Sequence, residues 1–162
     1  MTLKIISGGQ SGADMGGLKA ARACGIPTGG VAPKDYYMEN GANTDLRDVY
    51  HLEDIGMSIR ERTIENVHRA HATLIFADRP SSPGTKLTLN TCRRFGKAGY
   101  LNPDAEHICK LLDEMGMEYP ELVVNIAGNR ESVAPGIEER TERVLTEAFK
   151  KWAALQAEWA LP

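Results

Sequence analysis

Residues 5–14 read Ile5-Ile6-Ser7-Gly8-Gly9-Gln10-Ser11-Gly12-Ala13-Asp14. A β-branched run that breaks into three closely spaced glycines marks a strand handing over to a helix. Glycine in a regular element costs ~1 kcal/mol relative to alanine. Such a cluster therefore signals backbone that turns sharply or is closely approached. A helix N-terminus presents unpaired N–H groups and a partial positive charge, which suits an anion. The stretch predicts a strand over 3–7, a turn with room for a phosphate-like group, and a helix over 13–24 stopped by Gly25.

The same punctuation recurs along the chain. "ATLIFA" (72–77) is a continuous apolar run of the kind buried on both faces, and "DRPSSPGT" follows it. "LVVNIA" (122–127) is a second such run, followed by "GNRES". Shorter strands are expected at 26–34 and 98–101. Helices are expected at 59–70, 85–95, 103–116 and from about 136 to 159. Their inward faces carry Ile59, Thr63, Val67 and Ala70, then Leu87, Leu89, Cys92 and Phe95, then Ile137, Val144, Ala148, Trp152, Leu155 and Trp159. Residues 35–58 read as irregular, with a short edge strand within 49–55. Strands alternating with helices predict an α/β, three-layer Rossmann-like fold: a mostly parallel sheet flanked by helices on both faces.

The totals fit one domain over 1–162, with 42% hydrophobic and 25% charged residues. A net charge of −3 argues against nucleic acid as a partner. Cys24, Cys92 and Cys109 are odd in number and far apart, unlike a disulfide framework or a zinc knuckle. His51, His68, His71 and His107 have no metal-ligand spacing, so no metal is expected. No apolar run approaches about 18 residues, so no membrane span is expected. The expectation is a cytoplasmic protein of a reducing compartment.

In such folds ligands lie outside the carboxyl ends of the strands. The candidate binding residues are therefore those of the three loops. The first supplies Gly8, Gly9, Gln10, Ser11, Gly12 and Asp14. Asp14 either compensates the helix dipole or contacts a ligand hydroxyl or base. The second supplies Ser82, Gly84 and Thr85, which contact a ligand or cap the helix. The third supplies Asn129 and Arg130. Lys34, Arg79 and Arg130 follow strands and could balance anionic charge. Arg62 and Asn66, one helical turn apart, reach the same crevice or face solvent. Glu61 and Glu65 share a helix face, an arrangement more often solvated than catalytic. No G-x-S-x-G elbow is present.

Taken in order, "ISGGQSGAD", "GIPTGGVAPK", "RTIENV", "ATLIF", "PGTKLT" and "VVNIAGNRESVAPGI" resemble the molybdenum cofactor carrier-like family over residues 5 to 145. That family lies within the Rossmann-like superfamily that includes the cytokinin-activating phosphoribohydrolases and DNA-processing protein A. The resemblance implies homo-oligomers, dimers or tetramers, and a phosphorylated small-molecule ligand over the glycine loops: a nucleotide, or a molybdenum cofactor-like pterin. It carries over Gly8, Gly9, Gln10, Ser11, Gly12, Asp14, Lys34, Gly84 and Thr85 as binding residues, with Asn129 and Arg130. Where this family often has Trp-Cys-Pro-Lys, the chain has Val31-Ala32-Pro33-Lys34. Where the phosphoribohydrolases place a catalytic Glu, it has Thr88, which cannot exchange a proton near neutral pH. The expectation leans to a binding protein. The alternative is a nucleotide-processing hydrolase using Asp14, Glu65 or a water held by Gln10, with no catalytic residue assigned.

Overall fold

The computed structural model describes Met1–Pro162. The chain runs β1 (Thr2–Ser7), α1 (Ala13–Ala23), β2 (Thr28–Gly29), a tight turn at Lys34–Tyr36, and the strands β3 (Tyr37–Met38) and β4 (Gly41–Ala42). It continues through α2 (Asp45–Asp48), α3 (Ile59–Arg69), β5 (Ala72–Phe76), α4 (Pro83–Phe95), β6 (Ala98–Leu101), α5 (Ala105–Glu118), β7 (Glu121–Gly128) and α6 (Ile137–Trp159).

Five strands form a parallel sheet in the order β2-β1-β7-β5-β6. The last strand of the chain is thus the central one, with Ile5 opposite Val124 and Leu74 opposite Ile126. Counted from β7, the order becomes third, second, first, fourth, fifth, which is the doubly wound Rossmann order. The chain begins one strand–helix unit late, as a circular permutation of that order. The strand order reverses between β7 and β5, the point where such sheets open a crevice.

Strand alternation divides the two faces. Leu3, Ile5, Leu74, Phe76, Leu122, Val124 and Ile126 point towards α1, α5 and α6 and form one core with Ile108, Leu112, Leu145 and Phe149. Complete burial of such a side chain contributes about 1.5–3 kcal/mol. Close helix packing explains the glycines inside α1. A methyl on Gly16 would lie 2.5 Å from the Glu138 carbonyl, and one on Gly17 would lie 2.6 Å from Ile126.

The opposite face, under α3 and α4, is polar. Thr73, Asn125, Arg62, Asn66, Thr85, Thr88 and Thr91 are all buried there. The expected inward faces shift accordingly. Val67 and Ala70 are buried, but Ile59 is exposed and Arg62 and Asn66 turn inward. On α4 the threonines and Cys92 face the sheet, and Phe95 is exposed. On α6 the apolar stripe is buried as far as Trp152, while Trp159 lies beyond the sheet and is 78% exposed.

Residues 35–58 are more ordered than their composition suggests. They hold the antiparallel β3–β4 hairpin and α2, and Leu46, Tyr50 and Leu52 join Met15 and Leu18 in a second apolar cluster. The edge strand expected within 49–55 is reduced to a single bridge between Val31 and Glu53. Strand β2 is correspondingly short. Beyond it, the Asn66 amide takes over the pairing of Val31, accepting from its N–H at 2.9 Å and donating to its carbonyl at 3.0 Å. No helix is long and apolar enough to cross a membrane.

Candidate functional site

A cavity of about 330 Å³ opens at the carboxyl ends of β1 and β7, between α3 and α4. Gly8, Gln10 and Asp14 line it from the first loop and α1. Arg62 and Asn66 come from α3, and Ser82, Gly84 and Thr88 from α4 and its approach. Asn125 forms part of the wall from β7, and Asn129 and Arg130 come from the loop after it.

Arg62 is placed by local sequence. Ser58 and Glu61 form a reciprocal capping box, with the Ser58 amide donating to Glu61 at 2.7 Å and the Glu61 amide to Ser58 Oγ at 3.2 Å. This start sets the phase of α3 and turns Arg62 and Asn66 inward. Asn66 is consumed by Val31, as described above. Arg62 is not. Its side chain is 8% exposed, and its one hydrogen bond within the protein is Nη1 to Asp14 Oδ2 at 3.5 Å. Its Nε has no partner. A buried guanidinium with so few acceptors is costly unless something else supplies them. Gly8 makes this placement possible, because a methyl there would overlap Arg62 Nη1.

Asp14 also accepts from the Gln10 amide at 3.1 Å. Burial pushes its carboxyl above the usual carboxylate range, against the pull of Arg62, the Gln10 amide and Arg130. Arg62 is pushed down by burial first and by Arg130, with Asp14 opposing. An arginine starts so high that it remains a cation. Arg130 therefore lies close enough to bias both members of the pair.

The N-terminus of α4 is the open one. Ser82 precedes it without capping, and no acidic residue occupies its first turn. The Ser82 hydroxyl instead donates to Thr85 Oγ1 at 3.1 Å. Asn129 fixes this arrangement: its Nδ2 reaches Ser82 Oγ at 3.0 Å and Thr85 Oγ1 at 3.1 Å, and its Oδ1 accepts from the Arg79 amide at 2.8 Å. Space above Gly84 is empty to 4 Å. Its amide and that of Thr85 face an end of the helix that carries partial positive charge.

At the other two loop–helix junctions the protein's own atoms already occupy several main-chain amides, which narrows the expectation of a cradle made of main-chain amides. The Gln10 amide goes to Asp14, the Ala13 amide to the Asn129 carbonyl at 3.1 Å, and the Glu131 amide to Ser11 Oγ at 3.2 Å. Glu131 itself caps α6, accepting from Gly136 and Glu138. The structure brings Gly8, Gln10, Asp14, Ser82, Gly84, Asn129 and Arg130 to the cavity, with Thr85 buried just behind it. It leaves four others elsewhere. Gly9 faces Leu46 and Leu52, and Gly12 faces the backbone of Asn129 to Glu131. The Ser11 hydroxyl bonds Glu39 of the β3–β4 hairpin. Lys34 is exposed beyond β2, and its amide pairs with Met57. Glu65 binds Arg69 at 2.8 Å and is outside the cavity, so Asp14 is its one carboxylate.

Asn125 lines the cavity without being singled out in the sequence, whereas Thr88 stands out there only as the residue in place of a catalytic Glu. Asn125 is 2% exposed, donates to Thr73 Oγ1 at 3.4 Å, and leaves Oδ1 without a partner. One signal was present: it is the lone polar residue in the apolar run 122–127, out of phase with Leu122, Val124 and Ile126.

A sequence profile described as the circularly permutated YpsA SLOG family matches residues 5–149 of the chain. The chain belongs to the circularly permuted YpsA SLOG family. The permutation visible in the strand order, with β7 at the centre, agrees with that membership. This SLOG-family chain is also similar to a crystal structure from Syntrophus aciditrophicus titled "Putative molybdenum carrier protein". The two share 31% identity and a TM-score of 0.77, over 91% of this chain and 94% of that one. None of the curated proteins matches the chain in sequence.

Proposed function

We propose that this SLOG-family chain is a carrier or binding protein for a phosphorylated small molecule, a nucleotide or a molybdenum cofactor-like pterin, held in the cavity between α3 and α4. One observation carries the reading. Arg62 is a buried cation that lines the cavity and has a single long hydrogen bond in the protein. Arg130 and the uncapped start of α4 add positive charge around the same space. A phosphate group would supply the acceptors that Arg62 lacks.

The molybdenum cofactor is a pterin bearing a phosphate, and the chemistry of the lining residues suits it in part. Arg62, Arg130 and the first turn of α4 fit its phosphate. The unpartnered Asn125 Oδ1 and Gln10 Oε1 fit hydrogen-bond donors on a ring edge. No aromatic side chain lines the cavity, so a ring would be held by its edges and by Ile59 and Val133 instead of by stacking. The homo-oligomer implied by the resemblance belongs to the same reading. Ile59 and Phe95 leave apolar surface on the α3–α4 side.

Calorimetric titration with adenosine 5′-monophosphate, ADP-ribose and inorganic phosphate tests this. Saturable binding of at least one phosphate compound is expected. No heat with any of them, on protein shown to be folded, would overturn the reading.

A further inference from the structure

Asp14 is a carboxylate placed where an anionic ligand must settle. Its Oδ2 accepts from Arg62 Nη1 at 3.5 Å and from the Gln10 amide at 3.1 Å. It is 6% exposed, so water does little to screen it. The charged side chains that share the cavity with it are Arg62 from α3 and Arg130 from the β7–α6 loop. Across the cavity, α4 presents Thr88, β7 presents Asn125, and α3 adds Asn66; none of these ionises. While Asp14 is ionised, two guanidinium groups face one carboxylate. Once it is neutral, the same two cations match a dianion.

An entering anion and the Asp14 carboxylate compete for one buried guanidinium. Like charges that share a site of low dielectric cannot both remain ionised without a large cost, and the cheapest relief is a proton on one of them. A phosphate monoester loses its second proton near pH ~6 and resists taking it back between two arginines. Asp14 is the better acceptor, because burial alone already works against its charged form.

We propose that the cavity takes its ligand as a dianion together with one proton, which Asp14 binds from solvent as the anion settles on Arg62 and Arg130. The inference rests on the anion-binding reading above and adds a ligand class to it. Phosphate monoesters and tetrahedral dianions are favoured over phosphodiesters and carboxylates, whose single charge leaves one guanidinium unmatched. It also fixes the sign of the pH dependence. Protonated Asp14 is the binding form, so affinity for an anion that stays dianionic rises as pH falls, whereas a phosphate monoester loses that gain below pH ~6, where it takes back its own second proton. Affinity for the dianion falls as pH rises through the range where Asp14 is ionised in the free protein and protonated in the complex, by up to about tenfold per pH unit.

Molybdate, a dianion throughout the neutral range, and adenosine 5′-monophosphate at about pH 8 serve as probes. Each is titrated calorimetrically into the full chain in buffers of different ionisation enthalpy, which counts the protons taken up. The wild-type protein is expected to take up close to one proton per anion. Asp14→Asn is expected to take up none, to bind about tenfold more tightly at about pH 8, and to lose the pH dependence. Anion binding by the wild-type protein without proton uptake overturns the inference and leaves the binding function standing. Uptake that persists in Asp14→Asn overturns it as well. Failure of the wild-type protein to bind any anion removes the binding reading, and the inference with it. The wild-type proton count decides the matter even if the variant does not fold.

Discussion

Gly8→Ala is expected to leave the fold intact and to weaken phosphate binding by about a hundredfold. The added methyl would overlap Arg62 Nη1 and lie 2.6 Å from its Cζ, and no backbone atom stands in the way. The far end of a flexible side chain yields first, so Arg62 is pushed off the cavity wall and away from Asp14. A hydrogen bond to a charged group contributes about 1.5–3 kcal/mol, which at its upper end corresponds to the expected loss. Stability changes little, since the displaced guanidinium exchanges a poorly satisfied burial for water. Arg62→Leu should show the same loss, and the double variant no more than either alone, because both remove one interaction. Calorimetry with inorganic phosphate on the three variants reads this directly. Unchanged affinity in Gly8→Ala would separate Arg62 from the anion site.

Gly12→Ala is expected to act on stability instead, costing about 3 kcal/mol or more. Gly12 has φ +85°, a conformation L side chains rarely adopt. Its added methyl would overlap the Asn129 carbonyl oxygen and lie 2.6 Å from the Glu131 amide nitrogen. These are backbone atoms of the loop leaving the central strand, and they cannot swing aside. The first glycine loop and the β7–α6 loop would be forced apart just where the Ala13 amide meets the Asn129 carbonyl. Urea unfolding should show a lower midpoint at an unchanged slope. Gly84→Ala provides the contrast. It has open space around it and ordinary helical backbone, so its stability should stay within about 1 kcal/mol or rise. A Gly12→Ala protein as stable as the wild type would mean that the two loops are not packed as described.

The different roles of these three glycines show what the sequence could and could not say. The triplet Gly8, Gly9 and Gly12 announced a strand–helix turn, and the turn is there between β1 and α1. The shared expectation of room for an anion dissolves on inspection of neighbours. Gly8 makes room for a protein cation, Gly9 for Leu46 and Leu52, and Gly12 for another loop. Spacing reports that backbone is closely approached; it does not report by what.

The architecture was legible because apolar periodicity is local. Runs such as 72–77 and 122–127 can be buried only as central strands, and alternation with helices leaves few topologies. Strand order was not legible. Nothing within 122–127 shows that it lies between 3–7 and 72–76, since that depends on pairing across more than 100 residues of chain. The site was hidden for a related reason. Arg62 looks like a surface residue of a polar helix, and only the polar face of the sheet beneath it, with Thr73 and Asn125, makes burial possible. Residues 35–58 misled in the opposite direction. Their turn-forming composition concealed Leu46, on the single turn of α2, and Tyr50 and Leu52, on the irregular backbone after it, all of which reach the second apolar cluster.

The central claim is that two arginine side chains and the open start of α4, not the amides of the glycine loop, hold the anion. Anomalous diffraction from crystals soaked in molybdate tests it most directly, because molybdenum marks its own position. The predicted result is one strong peak within hydrogen-bonding reach of Arg62 and Arg130, over the first turn of α4. A peak seated on the amides of Gly9 to Gly12, or none in the cavity while molybdate is bound elsewhere, would contradict it.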